Sequence, residues 1–144
     1  QNKKKKKKTY LYQILNRQSI SYLQNESSWF FPKPLNIEKM SYAAKYLLGR
    51  HDFNAFRSIH CQSKNSVRSI DSISIKKKQQ LISVRIKGKS FLHNQIRIIV
   101  GSIVMVGEGK WNINYIKSVL ESKDRKIAGP TAPAHGLYLE KIIY

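Results

Sequence analysis

Apolar positions change period several times along the chain. Ile37, Met40, Ala43, Ala44, Leu47 and Leu48 recur at intervals of three and four, which places them on one face of a helix. Asn36 stands before them as a capping residue and Gly49 follows as a stop, so a helix is predicted between the two. The same period returns at Leu92, Ile96, Ile99, Val100 and Ile103 to about Val106, and again at Ile113, Ile116, Val119 and Leu120 after Trp111. Other stretches alternate. In Leu81 to Lys87 the apolar Ile82, Val84 and Ile86 are interleaved with Ser83, Arg85 and Lys87, the pattern of a half-buried strand. Val67 to Ile75 is a second β-patterned run, and the lysine-rich connection 76–78 predicts an antiparallel pair. Tyr10 to Leu15 has the aromatic and branched residues of a strand. A polar stretch follows it to Ser28, and Trp29-Phe30-Phe31 then leads into Pro32 and Pro34. Leu137 to Ile143 is predicted to be a closing strand. Strands and helices segregated in this way predict an α+β domain, a largely antiparallel sheet with helices packed on it. No internal repeat is present.

At 144 residues, 41% of them hydrophobic, the chain can build one real core but not two ordinary domains. The expected division is a basic tail over 1–8 and one α/β domain over 9–144. The tail is a like-charge run, either solvated and disordered or an arm that contacts phosphate. The 27 basic and 8 acidic residues give a formal charge of +19, and setting aside the six of Lys3–Lys8 still leaves +13. Such a potential attracts polyanions, nucleic acid first and an anionic membrane surface second. An AT-rich coding sequence would also favour Lys, Ile, Asn and Ser, so charge alone does not decide. Cys61 is the only cysteine, which excludes an internal disulfide and a thiolate zinc cluster and fits a reducing, cytoplasmic setting. The longest near-apolar run, Ile98 to Gly107, is about half a bilayer span, so no transmembrane helix is expected. Lys3–Lys8 is not followed by an apolar core, so no export signal is read.

The most informative segment is Phe91-Leu92-His93-Asn94-Gln95-Ile96-Arg97-Ile98-Ile99-Val100-Gly101. It sets a permanently charged guanidinium at the start of an apolar helix, where it needs a carboxylate or phosphate partner. Together with Ala128-Gly129-Pro130-Thr131-Ala132-Pro133-Ala134-His135-Gly136-Leu137-Tyr138-Leu139, the segment resembles the C-terminal half of the TruA family of tRNA pseudouridine synthases. Lys8-Thr9-Tyr10-Leu11-Tyr12, the block from Leu47 through Gly49-Arg50-His51-Asp52-Phe53 to Arg57, and Cys61-Gln62-Ser63-Lys64 extend the resemblance over nearly the whole chain from Lys8.

The resemblance implies an isomerase that needs no cofactor and converts uridine to pseudouridine at positions 38 to 40 of the tRNA anticodon stem-loop. It breaks the N1 to C1′ bond, turns the base and rejoins it through C5. By the same resemblance Arg97 is the cation paired with the catalytic aspartate, a bidentate task for which lysine is a poor substitute. Otherwise Arg97 closes a core ion pair or meets a phosphate. Tyr10 stands where the family has its substrate-facing tyrosine, with Tyr12 on the same strand face and structural. His93, four residues before Arg97, is expected to share its helical face and to contact RNA or support the site. Many relatives carry a second histidine where this chain has Asn94. Gly129 to Pro133 would form part of the site wall, and Leu137 and Leu139, two apart on one side of the closing strand, would pack under the site, with Leu137 counted in the substrate-binding set. Arg57, Lys64, Arg68, Lys87 and Lys89 are the expected RNA surface. His51, His60 and His135 lack metal-ligand spacing, and no metal site is expected.

The family's aspartate motif, Gly-Arg-Thr-Asp-Ala-Gly, does not occur in this sequence. Asp52, Asp71 and Asp124 are its aspartates, and none has that context. With its opening Gln1-Asn2-Lys3, the chain is therefore expected to be a half-enzyme: a fragment or split gene product, partnered by an N-terminal half and by a second copy in a homodimer, and inactive alone. The alternative is a non-catalytic RNA-binding remnant.

Overall fold

The computed structural model describes residues 6–19 and 27–143. The expected tail over 1–5 and the polar stretch over 20–26 lie outside the described residues.

Strand β1 (Lys7–Asn16) is the centre of a six-stranded sheet. Tyr12 and Ile14 on one face are fully buried, while Leu11 and Gln13 point to the other, as the alternation of a strand requires. One edge of β1 pairs antiparallel with β5 (Leu81–Gly88), setting Tyr10 opposite Ile86 and Tyr12 opposite Val84. Its other edge takes two short strands in series: β2 (Trp29–Phe31) runs parallel beside Ile14 to Asn16, and β6 (Leu137–Ile143) runs antiparallel beside Lys7 to Tyr12. Outward from β5 lie β4 (Val67–Lys78) and then β3 (Gly49–Asp52), both antiparallel. The sheet is thus antiparallel except at β1–β2, in keeping with the expected class.

Helix α1 (Ile37–Lys45) is capped as its sequence predicts: the Asn36 side chain accepts from the Lys39 N–H at 3.0 Å. It buries Met40, Ala43 and Ala44 against α2 (Gln95–Glu108) and β4. Helix α3 (Tyr115–Ser122) closes the layer with Ile116, Val119 and Leu120. The core lies between these helices and the sheet face carrying Tyr12, Ile14, Ile82, Val84 and Ile86. Each fully buried large aliphatic or aromatic side chain there contributes about 1.5–3 kcal/mol. On the opposite face Arg85 reaches across β1 to a bidentate pair with Glu140 of β6, Nε to Oε1 at 2.9 Å and Nη2 to Oε2 at 3.1 Å.

Several boundaries differ from expectation for physical reasons. Lys7 and Lys8 belong to β1 rather than to a tail, because β5 and β6 pair with them and Lys7 forms an ion pair with Asp71. Lys76–Lys78 continue β4 instead of forming the connection. The turn is Gln79-Gln80, with Gln79 at φ +56°. Helix α2 begins at Gln95, not Leu92, because Asn94 sits in the left-handed region at φ +63°. The Gln95 side chain stabilises the turn before it, accepting from the Leu92 N–H at 2.8 Å. His93 therefore precedes the helix and does not share a helical face with Arg97. Strands β2 and β3 are additional elements, each too short for period alone to show.

Candidate active site

Arg97 lies in the first turn of α2 and is held from behind. Its Nε donates to the Ala132 carbonyl at 2.7 Å, the Ala132 N–H donates back to the Arg97 carbonyl at 3.0 Å, and Nη1 reaches Asn94 Oδ1 at 3.3 Å. The Asn94 that departs from the family's usual histidine thus has two tasks, since asparagine tolerates the left-handed turn before the helix and supplies an acceptor. Nη2 makes no bond among the described residues.

The loop that supplies Ala132 is locked to α2 by contacts that leave no room for a side chain. A Cβ on Gly101 would lie 1.7 Å from the Pro130 carbonyl oxygen, and one on Gly129 would lie 2.8 Å from the Ser102 Cα. Ser102 Oγ donates to the Ile98 carbonyl at 2.8 Å and accepts from the Gly129 N–H at 2.9 Å. On the outer side Arg125 donates to the Gly129 carbonyl at 3.0 Å and to Thr131 Oγ1 at 3.1 Å. Tyr12 Oη donates to the Pro133 carbonyl at 2.6 Å, and its ring end fills the space that a Cβ on Gly136 would need. Burial pushes the Tyr12 phenol well above its ordinary value, with the Arg97 charge opposing the shift. It is a neutral donor.

In front of Arg97 opens a cavity of about 330 Å³ whose lining includes Tyr10, Phe91, His93, Asn94 and Leu137. Tyr10 and Phe91 meet edge to face, centroids 5.4 Å apart at 88°, so two aromatic surfaces converge beside the guanidinium. His93 is exposed at the rim, and its carbonyl accepts from the Ser58 N–H at 3.0 Å. Among the described residues no carboxylate lines this cavity. Asp52 accepts from Ser66 Oγ at 2.5 Å and from the Asn54 N–H at 3.1 Å; Asp71 pairs with Lys7; Asp124 accepts from the Lys126 N–H at 3.0 Å. The arrangement can hold a planar ring against aromatic faces and present a cation to an anion brought from outside.

Tyr10, the His93–Arg97 segment and Leu137, far apart in sequence, are thus brought together. Leu139 is 51% exposed and is not part of the cavity lining. The five basic residues are not one surface. Arg57 donates to the Ser63 carbonyl at 2.7 Å, and Arg68 donates to the Asn65 and Val67 carbonyls at 2.8 Å and to Ser63 Oγ at 3.1 Å, so both brace the loop carrying exposed Lys64. Lys87 alternates with Ile86 and so lies on the helix-free face, while Lys89 joins Arg68 in a second concavity. The Ser63 N–H, with Arg57 and the His93 backbone assisting, lowers the Cys61 thiol. His51 and His135 bond the Leu48 and Ser28 carbonyls at 2.7 and 3.0 Å. Sequence reasoning missed Phe91, Asn94 and Arg125. Only Asn94, a left-handed-tolerant residue before an apolar helix, carried a local signal.

Known proteins carry the same sequence features. A family model described as tRNA pseudouridine synthase matches residues 43–144. The chain belongs to the tRNA pseudouridine synthase family. Similar proteins include tRNA pseudouridine synthase A of Sinorhizobium fredii, 45% identical over 94% of this chain and 55% of that protein, and that of Ehrlichia chaffeensis, 45% identical over 96% and 57%. Rhizobium meliloti has another, 44% identical over 94% of this chain and 55% of its own length. This synthase-family chain therefore spans little more than half the length of the curated relatives it matches. Among its described residues no helix is long and apolar enough to cross a membrane.

Proposed function

We propose that this chain supplies the arginine half of a tRNA pseudouridine synthase, isomerising uridine to pseudouridine in the anticodon stem-loop once an aspartate from outside these residues meets Arg97. The observation that carries this reading is a guanidinium clamped by Ala132 and Asn94 in an aromatic cavity whose lining holds no carboxylate among the described residues. The target base must leave the helix stack to reach such a cavity. Tyr10 and Phe91 then hold the uracil ring, and Leu137 limits its travel while it turns. Arg97 neutralises and orients the aspartate that acts at the sugar, using a fork geometry that suits a carboxylate. The N1 to C1′ bond breaks, the ring rotates within the aromatic walls, C5 bonds C1′ in place of N1, and the proton lost from C5 is balanced by one gained at N1. His93 at the rim contacts the RNA. The working enzyme is a cytoplasmic homodimer in which each site is completed by a segment carrying the aspartate motif.

The test mixes this chain with the amino-terminal half of a relative and measures pseudouridine in tRNA by chemical labelling, with each half alone as control. Activity confined to the mixture, and lost in Arg97→Ala and Arg97→Lys, is the expected result. Tight tRNA binding without activity in any tube would favour an RNA-binding remnant, a reading motivated by the separate engagement of all three aspartates.

A further inference from the structure

We infer that Ile59 is a wedge that enters the RNA base stack where the target base leaves it. The inference rests on the RNA reading above, and the feature that carries it is an apolar side chain left 78% exposed beside the Arg97 cavity. Single exposed apolar residues are common on protein surfaces. This one stands apart by its mounting and its surroundings. Ile59 and His60 form the corner of a tight turn, in which the Cys61 N–H donates to the Ser58 carbonyl at 3.0 Å and the His60 N–H to Ser58 Oγ at 3.1 Å. The Ser58 N–H donates in turn to the His93 carbonyl at 3.0 Å, and His93 lines the cavity. Ile59 is therefore one residue, about 3.8 Å along the chain, from an amide bonded to the cavity rim.

The tip is placed in advance of any partner. Beyond the turn Arg57 donates to the Ser63 carbonyl at 2.7 Å and Arg68 to Ser63 Oγ at 3.1 Å. Isoleucine is itself stiff at χ1, so burying it sacrifices little conformational freedom. The surroundings suit a nucleic acid better than a protein. Residues 53–70 contain no Asp or Glu, while His60, Gln62 and Lys64 are exposed. Between Leu48 and Tyr115 no other large hydrophobic side chain among the described residues is exposed, so Ile59 has no apolar neighbours in this stretch with which to form the patch a protein partner covers. A base that leaves its stack uncovers the apolar faces of its two neighbours, and an inserted aliphatic side chain covers them again.

The experiment titrates the 144-residue chain, with Ile59→Ser and Ile59→Leu, into a labelled anticodon stem-loop and into an unpaired RNA of equal length. Ile59→Ser should weaken stem-loop binding about tenfold, with the log–log salt slope unchanged because no charge is removed. Its binding to the unpaired RNA should stay within about twofold, a selectivity that misfolding cannot mimic, and Ile59→Leu should behave as wild type. With 2-aminopurine beside the target uridine, saturating wild-type chain should raise the fluorescence as the stack opens, and saturating Ile59→Ser should not. Equal losses on both RNAs, no loss on either, or an undiminished fluorescence rise would overturn the wedge and leave the RNA reading standing. Loss of a dimer in Ile59→Ser with RNA selectivity intact would overturn it in favour of a contact between copies. Wild-type chain that binds neither RNA would overturn the RNA reading, and the wedge with it.

Discussion

Helix α2 meets the Gly129–Gly136 loop backbone to backbone on one side, and on the other it meets α1 through a thioether. At the first contact Gly101 abuts the Pro130 carbonyl, with 1.7 Å left for any added Cβ. At the second a Cβ on Gly107 would meet Met40, sulfur at 2.6 Å and Cγ at 2.7 Å, but methionine has rotatable bonds with which to move aside. The rigid contact is the one behind Arg97. Backbone cannot change rotamer, so position is transmitted from α2 to the loop and back to the guanidinium without slack, whereas the α1 contact needs only to exclude water.

The comparison breaks most directly at the two glycines. Gly101→Ala should cost more than about 4 kcal/mol and leave little folded protein at 37 °C, because neither partner can yield. Gly107→Ala gains about 1 kcal/mol of helix propensity against an overpacking cost of about 1–3 kcal/mol, so a net loss of about 2 kcal/mol or less is expected in urea unfolding. Similar losses at both positions would mean that the two contacts are equally stiff. Arg125→Ala removes both bonds to Gly129 and Thr131 and should cost about 1–2 kcal/mol, with Arg125→Lys a poor rescue. Tyr12→Phe, which deletes only the bond to Pro133, should cost about 1 kcal/mol by the same assay.

The smallest effect belongs to the helix-free face, far from this seam. The Arg85 guanidinium beside Glu140 holds its carboxyl below the ordinary value of 4.5. A depressed carboxyl stabilises the fold above that ordinary value and loses the contribution as pH falls through its folded value. The pair is exposed, so Glu140→Gln should cost under about 1 kcal/mol at neutral pH and nothing in strong acid. A loss that persists undiminished at pH 2 would show that packing, not charge, is at work.

Much of the sheet and the three α-helices among the described residues could be read from sequence because long amphipathic segments declare their period. Ile82, Val84 and Ile86 alternate, and Met40, Ala43 and Ala44 step by helical turns. Boundaries were less legible where a local choice was overridden. Lysines 7, 8 and 76–78 look like solvent-seeking tail or turn residues, yet neighbouring strands supply their backbone partners, and Lys7 and Lys77 reach the side chains of Asp71 and Asn16. Asn94 terminates a helical pattern that Leu92 and His93 would otherwise extend. In the candidate site, Tyr10, His93, Arg97 and Leu137 came from motif resemblance and do share one cavity. Phe91 and Arg125 stayed hidden because an aromatic beside a strand and an arginine in a polar loop have no distinguishing period. Only the fold shows which wall each one builds.

The pairing of β1 with β6 orders events in time. Leu137 is made more than a hundred residues after Tyr10, yet both line the cavity. Local pieces such as the β4–β5 hairpin can form as soon as their residues emerge during synthesis, but the β1–β6 ladder closes a long loop and is entropically slow. The cavity is therefore completed after the hairpin. A nascent chain can carry most of its positive charge while lacking any place to put a base, so early encounters with RNA are electrostatic and unselective until the closing strand arrives.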